Sequence, residues 1–247
     1  MTYNLHDLRD DRAAAARVVR AVDPDVLCLQ EVPRRLTTEF RLPPFARACR
    51  LLWNRGRLGT GGTAVLTAPR VVVHGVHRGR LPVRFPDRTR GYAAATVSLA
   101  GDGPGLPPVT VVSVHLGLRA PERLRHASLV LEGLDGRAVV AGDLNEEAGA
   151  AAYDLIAGRL PLASDGVPTF PARLPTVALD AVFAGSANGC SLRLLPASVL
   201  SPFVRNVIPA IALSSPLGEA NANADFFLFS GGGKRSYSTS PVVRDYE

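Results

Sequence analysis

The sequence predicts a mixed α/β (α+β) fold in one large domain, on three observations. Helix-period segments alternate with short apolar runs through the first 185 residues. The apolar runs have strand length and carry hydrophobic residues at nearly every position, as strands buried on both faces do. The 247 residues suffice for a sizeable core, with no internal repeat and no run of about 18 apolar residues that predicts a membrane span.

Each element follows in order. Residues 2–5 read as a short opening strand. Asp10 and Asp11 precede Arg12–Val22, where Ala15, Val18, Val19 and Val22 make an apolar stripe. That is a helix with an acidic start, stopped by Asp23-Pro24. Val26–Gln30 reads as a buried strand. Leu58–Gly62 reads as a turn. Residues 62–66 and 70–77 predict a pair of strands joined by a turn around Ala68-Pro69. Tyr92–Leu99 alternates as a strand, Gly101–Pro108 is a turn-rich loop, and Val109–His115 is a β-branched strand. Pro121–Leu134 predicts a helix with proline in its first turn. Ala138–Ala141 is a short buried strand, and Asn145 is placed at the start of a helix reaching about Gly158. Leu179–Phe183 closes the series as one more strand.

The formal charge is +6, which suits a polyanionic partner without requiring one. Of the 28 basic residues, all but Lys234 are arginine, a bias read as compositional. Three cysteines, Cys28, Cys49 and Cys190, with no CxxC pair, argue against a disulfide framework or a zinc site. The N-terminus has no basic-then-apolar signal layout, so a monomer in a reducing cytoplasm is expected.

Residues 186–247 differ in kind. They contain ten serines and the single lysine, whereas serine occurs before them at 98, 113, 128 and 164 only. Pro209 weakens the apolar run at 203–213 as a central strand. Gly231–Ser236 fails as a phosphate loop, because Leu228 and Arg235 stand where glycine and Ser/Thr are needed.

Polar residues sit at the predicted C-terminal ends of apolar strands: Glu31, His115, Asp143 with Asn145, and Asp180 beside Leu179. Ligands of open α/β architectures gather at such ends. Several acids meeting there repel one another unless a cation neutralises them, and oxygen donors suit a hard ion such as Mg²⁺. Taken singly, Glu31 reads as a loop acid, His115 as a structural histidine, Asn145 as a helix cap and Asp180 as a loop acid. The joint pattern is what points to chemistry.

That pattern resembles the endonuclease/exonuclease/phosphatase family of metal-dependent phosphoesterases. Thr2-Tyr-Asn4 is similar to the family's opening strand, Asp25–Glu31 to its strand ending in Gln-Glu, and Val112–Leu116 to its strand ending in His-Leu. Val140–Asn145 resembles its Gly-Asp-Phe/Leu-Asn segment. Thr169-Phe-Pro followed by Leu179–Phe183 resembles the stretch before its last catalytic segment. The five occur in family order across residues 1–185.

The resemblance implies a two-layered β-sandwich flanked by helices, deoxyribonuclease-like, and hydrolysis of phosphate esters with Mg²⁺ or Mn²⁺, nucleic acid being one candidate substrate. By analogy Glu31 binds the metal and Asn4 supports metal and substrate. Asp143 orients or deprotonates the attacking water, Asn145 holds a phosphate oxygen, and His115 stabilises the phosphate. Asp180 orients a terminal histidine, and Arg90 and Tyr92 stand where some members contact phosphate.

The family ends in a Ser-Asp-His segment and a last apolar strand. Here the histidines are His6, His74, His77, His115 and His126, and none follows Asp180. Ser164-Asp165 lies upstream of Asp180, and Asp225 has no histidine beside it. The family domain therefore spans 1–185, incomplete at its C-terminus, and 186–247 is an atypical tail. Three readings stay open: a frame-shifted or poorly ordered tail, a degenerate relative that binds metal or phosphate without turnover, and another residue standing in for the histidine. The expectation is impaired activity.

Overall fold

A computed structural model of the chain describes residues 1–34, 36–54, 61–100, 107–172 and 174–185, and the backbone of 191–192, 207–208 and 213–214. The chain divides into units 1–216 and 217–247. The second unit, the turn expected before Gly61, the core of the 101–108 loop, and most of the serine-rich tail lie outside the described residues.

The first unit is built on two five-stranded sheets. One holds β1 (Thr2–Asn4), β2 (Val26–Gln30), β3 (Leu52–Trp53), β4 (Ala64–Thr67) and β11 (Val207–Ile208), in the order β11-β1-β2-β4-β3. The other holds β5 (Val71–Leu81), β6 (Arg90–Leu99), β7 (Val109–His115), β8 (Ala138–Asp143) and β9 (Asp180–Ala184), in that order. Strands β10 (Ser191–Leu192) and β12 (Leu213–Ser214) pair separately. Helices α1 (Arg12–Val22), α2 (Leu36–Ala48), α3 (Ala120–Leu131) and α4 (Ala151–Ala157) complete the unit. This is the expected two-sheet sandwich with flanking helices.

The period-two pattern divides the second sheet's side chains between two cores. Ala93, Ala95, Val97, Val109, Val111, Val139, Ala141 and Val182 face the first sheet and join Leu27, Leu29, Leu66 and the buried stripes of α1 and α2. Ala94, Val112, Val114, Val140, Ala181 and Phe183 face Ala127, Val130 and Leu131 of α3 and Ile156 of α4. A buried polar chain ties the sheets together near one end. Thr2 Oγ1 donates to Gln30 Oε1 (3.1 Å), Gln30 Nε2 to Ser113 Oγ (3.1 Å), and Ser113 Oγ to the Leu29 carbonyl (2.9 Å).

Helix α1 starts where expected, with the Asp11 carboxylate accepting from Ala13 and Ala14 N–H. Two expectations need correction, and one helix went unread. The runs at 62–66 and 70–77 are consecutive but do not pair. β4 lies antiparallel to β2 and β5 antiparallel to β6, so the turn at Ala68-Pro69 carries the chain from one sheet to the other. Helix α2 escaped the pattern reading because Pro43 and Pro44 lie inside it. Its buried Leu42, Phe45, Ala46 and Cys49 nonetheless keep the i, i+3, i+4, i+7 spacing. Asn145 does not open a helix: α4 begins at Ala151, and Asn145 takes a left-handed φ of 53° that bends the chain away from β8.

Gly142, inside β8, has φ 153°, and a Cβ there falls 2.0 Å from the Val114 carbonyl oxygen of β7. A side chain forces the two strands apart next to Asp143. Gly142→Ala is expected to cost about 3 kcal/mol or more, combining backbone strain with overpacking. Urea unfolding checks it, and a midpoint unchanged from wild type contradicts this account of the strand crossing.

Candidate active site

The strand register lines up the polar residues. Gly91 of β6 pairs with His115, His115 with Asp143, and Asp143 with Asp180, so one row crosses four adjacent strands. Ser113 and Ala141 face the first sheet, and His115 and Asp143, two residues on, face the same way. The first sheet meets them with Asn4, at the end of β1, and Glu31, one residue past β2. Asn4 pairs with Gln30 in the parallel β1–β2 register. Asn4 Nδ2 donates to Asp143 Oδ2 across the sandwich at 3.2 Å.

Asp143 is the hub. Its Oδ1 accepts from Asn145 N–H (3.0 Å), and its Oδ2 lies 3.5 Å from His115 Nε2. Asn145 Nδ2 donates to the Leu116 carbonyl at 2.9 Å, fixing its amide beside the strand carrying His115. Burial, opposed by these hydrogen bonds and assisted by the Glu31 charge, pushes the Asp143 carboxyl up to about 6. Asp180 is also buried. Its Oδ2 accepts from Thr169 Oγ1 (2.6 Å), while Oδ1 has no partner among the described residues. Burial first and the Asp143 charge second hold Asp180 well above the usual carboxylate range. Two facing acids with displaced proton affinities make a proton-handling pair.

His115 is 2% exposed, and its Nδ1 has no partner among the described residues. Burial, and then Arg90, Arg34 and Arg88, hold it well below the usual histidine range, so the ring is neutral. Arg90, 5% exposed, donates from Nε to the Leu116 carbonyl (2.9 Å), and its Nη1 has no partner among the described residues. Tyr92 faces the helix side of the sheet. Its hydroxyl pairs with His77 Nε2 (2.9 Å), and its ring covers Gly79. It thus turns away from the row of His115, Asp143 and Asp180.

Glu31 takes φ 46°, a conformation that costs a non-glycine residue about 1–2 kcal/mol. The turn His6–Leu8, also left-handed, locks it: the Glu31 carbonyl accepts from Asp7 N–H at 2.8 Å. Strain held at a polar strand end is a common mark of functional geometry. Among the described residues the Glu31 carboxylate has one charged neighbour at contact range, Arg88 Nη1 at 4.0 Å.

Among the described residues no three His, Cys, Asp or Glu side chains form a ready-made metal cage. The residues still fit a hard ion of the Mg²⁺ type, which typically takes one or two carboxylates and fills its other positions with water or phosphate oxygen. Glu31 offers a carboxylate that accepts no hydrogen bond among the described residues. Asn4 and Asp143 add oxygens, and the raised affinity of Asp143 for protons marks negative charge short of compensation.

The sequence reading missed Arg34 and Arg88. Arg34 Nη1 donates to Thr89 Oγ1 (3.0 Å), and Arg88 Nη2 pairs with the buried Asp7 (2.7 Å). Arginine is so abundant in this chain that neither stood out. The buried Asp7, three residues past the candidate Asn4, was the usable signal.

The model of the endonuclease/exonuclease/phosphatase family matches residues 1–242. Among curated proteins no match is found. Similar solved structures include an endonuclease/exonuclease/phosphatase from Beutenbergia cavernae, 22% identical, covering 88% of this chain and 72% of that one at TM-score 0.61. A mannosyl-6-phosphatase of Bacteroides thetaiotaomicron is 16% identical, covering 75% and 84% at 0.60. D. rerio TDP2, complexed with a single-strand DNA product, is 20% identical, covering 78% and 88% at 0.57.

Proposed function

The chain belongs to the endonuclease/exonuclease/phosphatase family, and from that premise we propose that it is a divalent-metal-dependent hydrolase of phosphate esters. The observation that carries the reading is the Asn4–Asp143 hydrogen bond across the sandwich. It joins two strand ends, one beside Glu31 and the other in the row with His115 and Asp180. Members of the family are generally divalent-metal dependent.

In this reading Glu31, with Asn4, holds Mg²⁺ or Mn²⁺, and the bound ion supplies charge neutralisation at the phosphoryl group. Asp143, titrating near 6, orients the attacking water and takes its proton near neutrality. Asp180, facing Asp143 in register, is itself held well above the usual carboxylate range by burial and by the Asp143 charge. The Asn145 amide, the neutral His115 ring and the Arg90 guanidinium stabilise the phosphoryl oxygens. Tyr92, directed toward His77, supports the sheet and stays outside the chemistry. The family domain occupies 1–185, with 186–247 as an atypical tail, and the protein works as a cytoplasmic monomer. No helix among the described residues is long and apolar enough to cross a membrane.

Turnover is impaired. All five histidines precede Asp180, so the family's terminal imidazole is missing from this chain, and losing such a group typically lowers the rate about 10²–10⁴-fold. The same observation favours a second reading, a relative that binds metal or phosphate without hydrolysis. Assay of p-nitrophenyl phosphate and its bis-ester, with Mg²⁺ and then with EDTA, separates them. Slow turnover abolished by EDTA is expected. Mg²⁺ binding without turnover favours the second reading, and turnover indifferent to EDTA contradicts both.

A further inference from the structure

Three guanidinium groups converge on one side of this site. Arg34 leaves the loop after β2, Arg88 the loop before β6, and Arg90 starts β6. The Arg34 side chain reaches Thr89, the residue between the other two. Each of the three charges acts on His115, and Arg34 is lowered by Arg88 and Arg90 after burial itself. Like charges held this close are costly without an anion among them.

Local carboxylates offset the cluster only partly. Asp7 binds Arg88, and Glu31 lies 4.0 Å from the same guanidinium. Among the described residues, Arg34 and Arg90 make direct hydrogen bonds to neutral groups only, the Thr89 hydroxyl and the Leu116 carbonyl. Among the described residues, three of their buried nitrogen donors have no acceptor: Arg34 Nε, Arg34 Nη2 and Arg90 Nη1. Buried donors without acceptors are rare and mark the place of an absent ion or ligand. Gly62 contributes the space, since a Cβ there sits 3.2 Å from both unpartnered Arg34 nitrogens.

We propose that Arg34, Arg88 and Arg90 form a pocket for a terminal, doubly charged phosphate group, so that the site selects phosphomonoesters over phosphodiesters. A monoester presents three terminal oxygens and two negative charges at neutral pH, its second pKa lying near 6. A diester presents two oxygens and one charge. Guanidinium forks match terminal phosphate oxygens two at a time. The three free donors and the partly uncompensated charge therefore suit the monoester. The proposal rests on the phosphoesterase reading for its place in catalysis, but the pocket itself is testable without turnover.

The test is calorimetric titration in EDTA at about pH 8 with inorganic phosphate and, separately, dimethyl phosphate. It uses the full chain, Arg34→Gln and Arg88→Lys, each checked for an unchanged thermal transition. Lysine at 88 keeps a cation beside Asp7, so that variant tests the fork and not the ion pair. Wild type is expected to bind phosphate at least about tenfold more tightly than dimethyl phosphate, and each substitution to weaken phosphate about tenfold with little effect on the diester. Equal affinity for the two ligands, or phosphate binding indifferent to Arg34, overturns the proposal. Phosphate binding that depends on Arg34 in a chain with no turnover leaves the pocket standing and defeats only the hydrolase reading.

Discussion

Asp143→Asn is expected to lose turnover by about 10²–10⁴-fold and, in the same molecule, to gain stability on the order of 3 kcal/mol above neutral pH. The loss follows from replacing the proton acceptor by an amide. The gain follows from burial. The Asp143 carboxyl titrates near 6 in the folded chain, against an ordinary value of 3.8. A group with a raised folded pKa adds stability that is fully present below the unfolded value and is lost as pH rises through the folded one. The window is therefore about pH 4 to 6, and above it the wild type carries a buried charge that asparagine does not. Removing that charge also relieves Asp180, which Asp143 raises. Denaturant unfolding in EDTA at about pH 4.5 and 8 checks the sign. The variant's advantage should be small at the lower pH and large at the higher. An advantage equal at both, or absent at the higher, contradicts the assignment of Asp143 as a strained, functional acid.

Glu31 carries the second large effect. Glu31→Gln keeps the left-handed backbone and the side-chain shape but removes the charge. Mg²⁺-stimulated turnover is expected to fall at least about 10²-fold. Glu31→Gly removes the same carboxylate and also the conformational cost, so it should lose as much activity while unfolding about 1 kcal/mol later than the Gln variant. Steady-state rates across a Mg²⁺ titration, paired with urea unfolding, separate the two contributions. Full metal stimulation in Glu31→Gln contradicts the metal role. A glycine variant no more stable than glutamine contradicts the idea that strain is held at this strand end for function.

Much of the site was legible in the sequence because each polar residue stands at the end of a strongly apolar strand. Val26–Gln30, Val109–Val114 and Ala138–Ala141 fix where the chain leaves the sheet, and so fix Glu31, His115 and Asp143. What could not be read was pairing between strands distant in sequence. Ala64–Thr67 and Val71–Leu81 look like a hairpin because they are adjacent in sequence. They separate because β4 pairs with β2 and β5 with β6, which a local pattern does not encode. The same limit hid Arg34 and Arg88, whose importance lies in converging from different loops on His115. Asn145 illustrates a local failure of another kind. Asparagine is favoured both as a helix cap and in left-handed turns, and here the turn won, held by its N–H to Asp143 and its amide to Leu116. Tyr92 was one strand face away from usefulness, since it packs beside Ala94 in the helix-side core, whereas Arg90, at the start of the strand, reaches the Leu116 carbonyl.

The central claim is that Glu31, Asn4, Asp143 and the row from His115 to Asp180 serve one cation and one phosphoryl group. Diffraction from crystals grown with Mn²⁺ and inorganic phosphate tests it most directly, because the metal is identified by its anomalous signal. The account predicts a Mn²⁺ peak bonded to the Glu31 carboxylate, with phosphate beside it against Asn145, His115 and Arg90. Metal and phosphate bound at separate places, with Glu31 contacting neither, would contradict it.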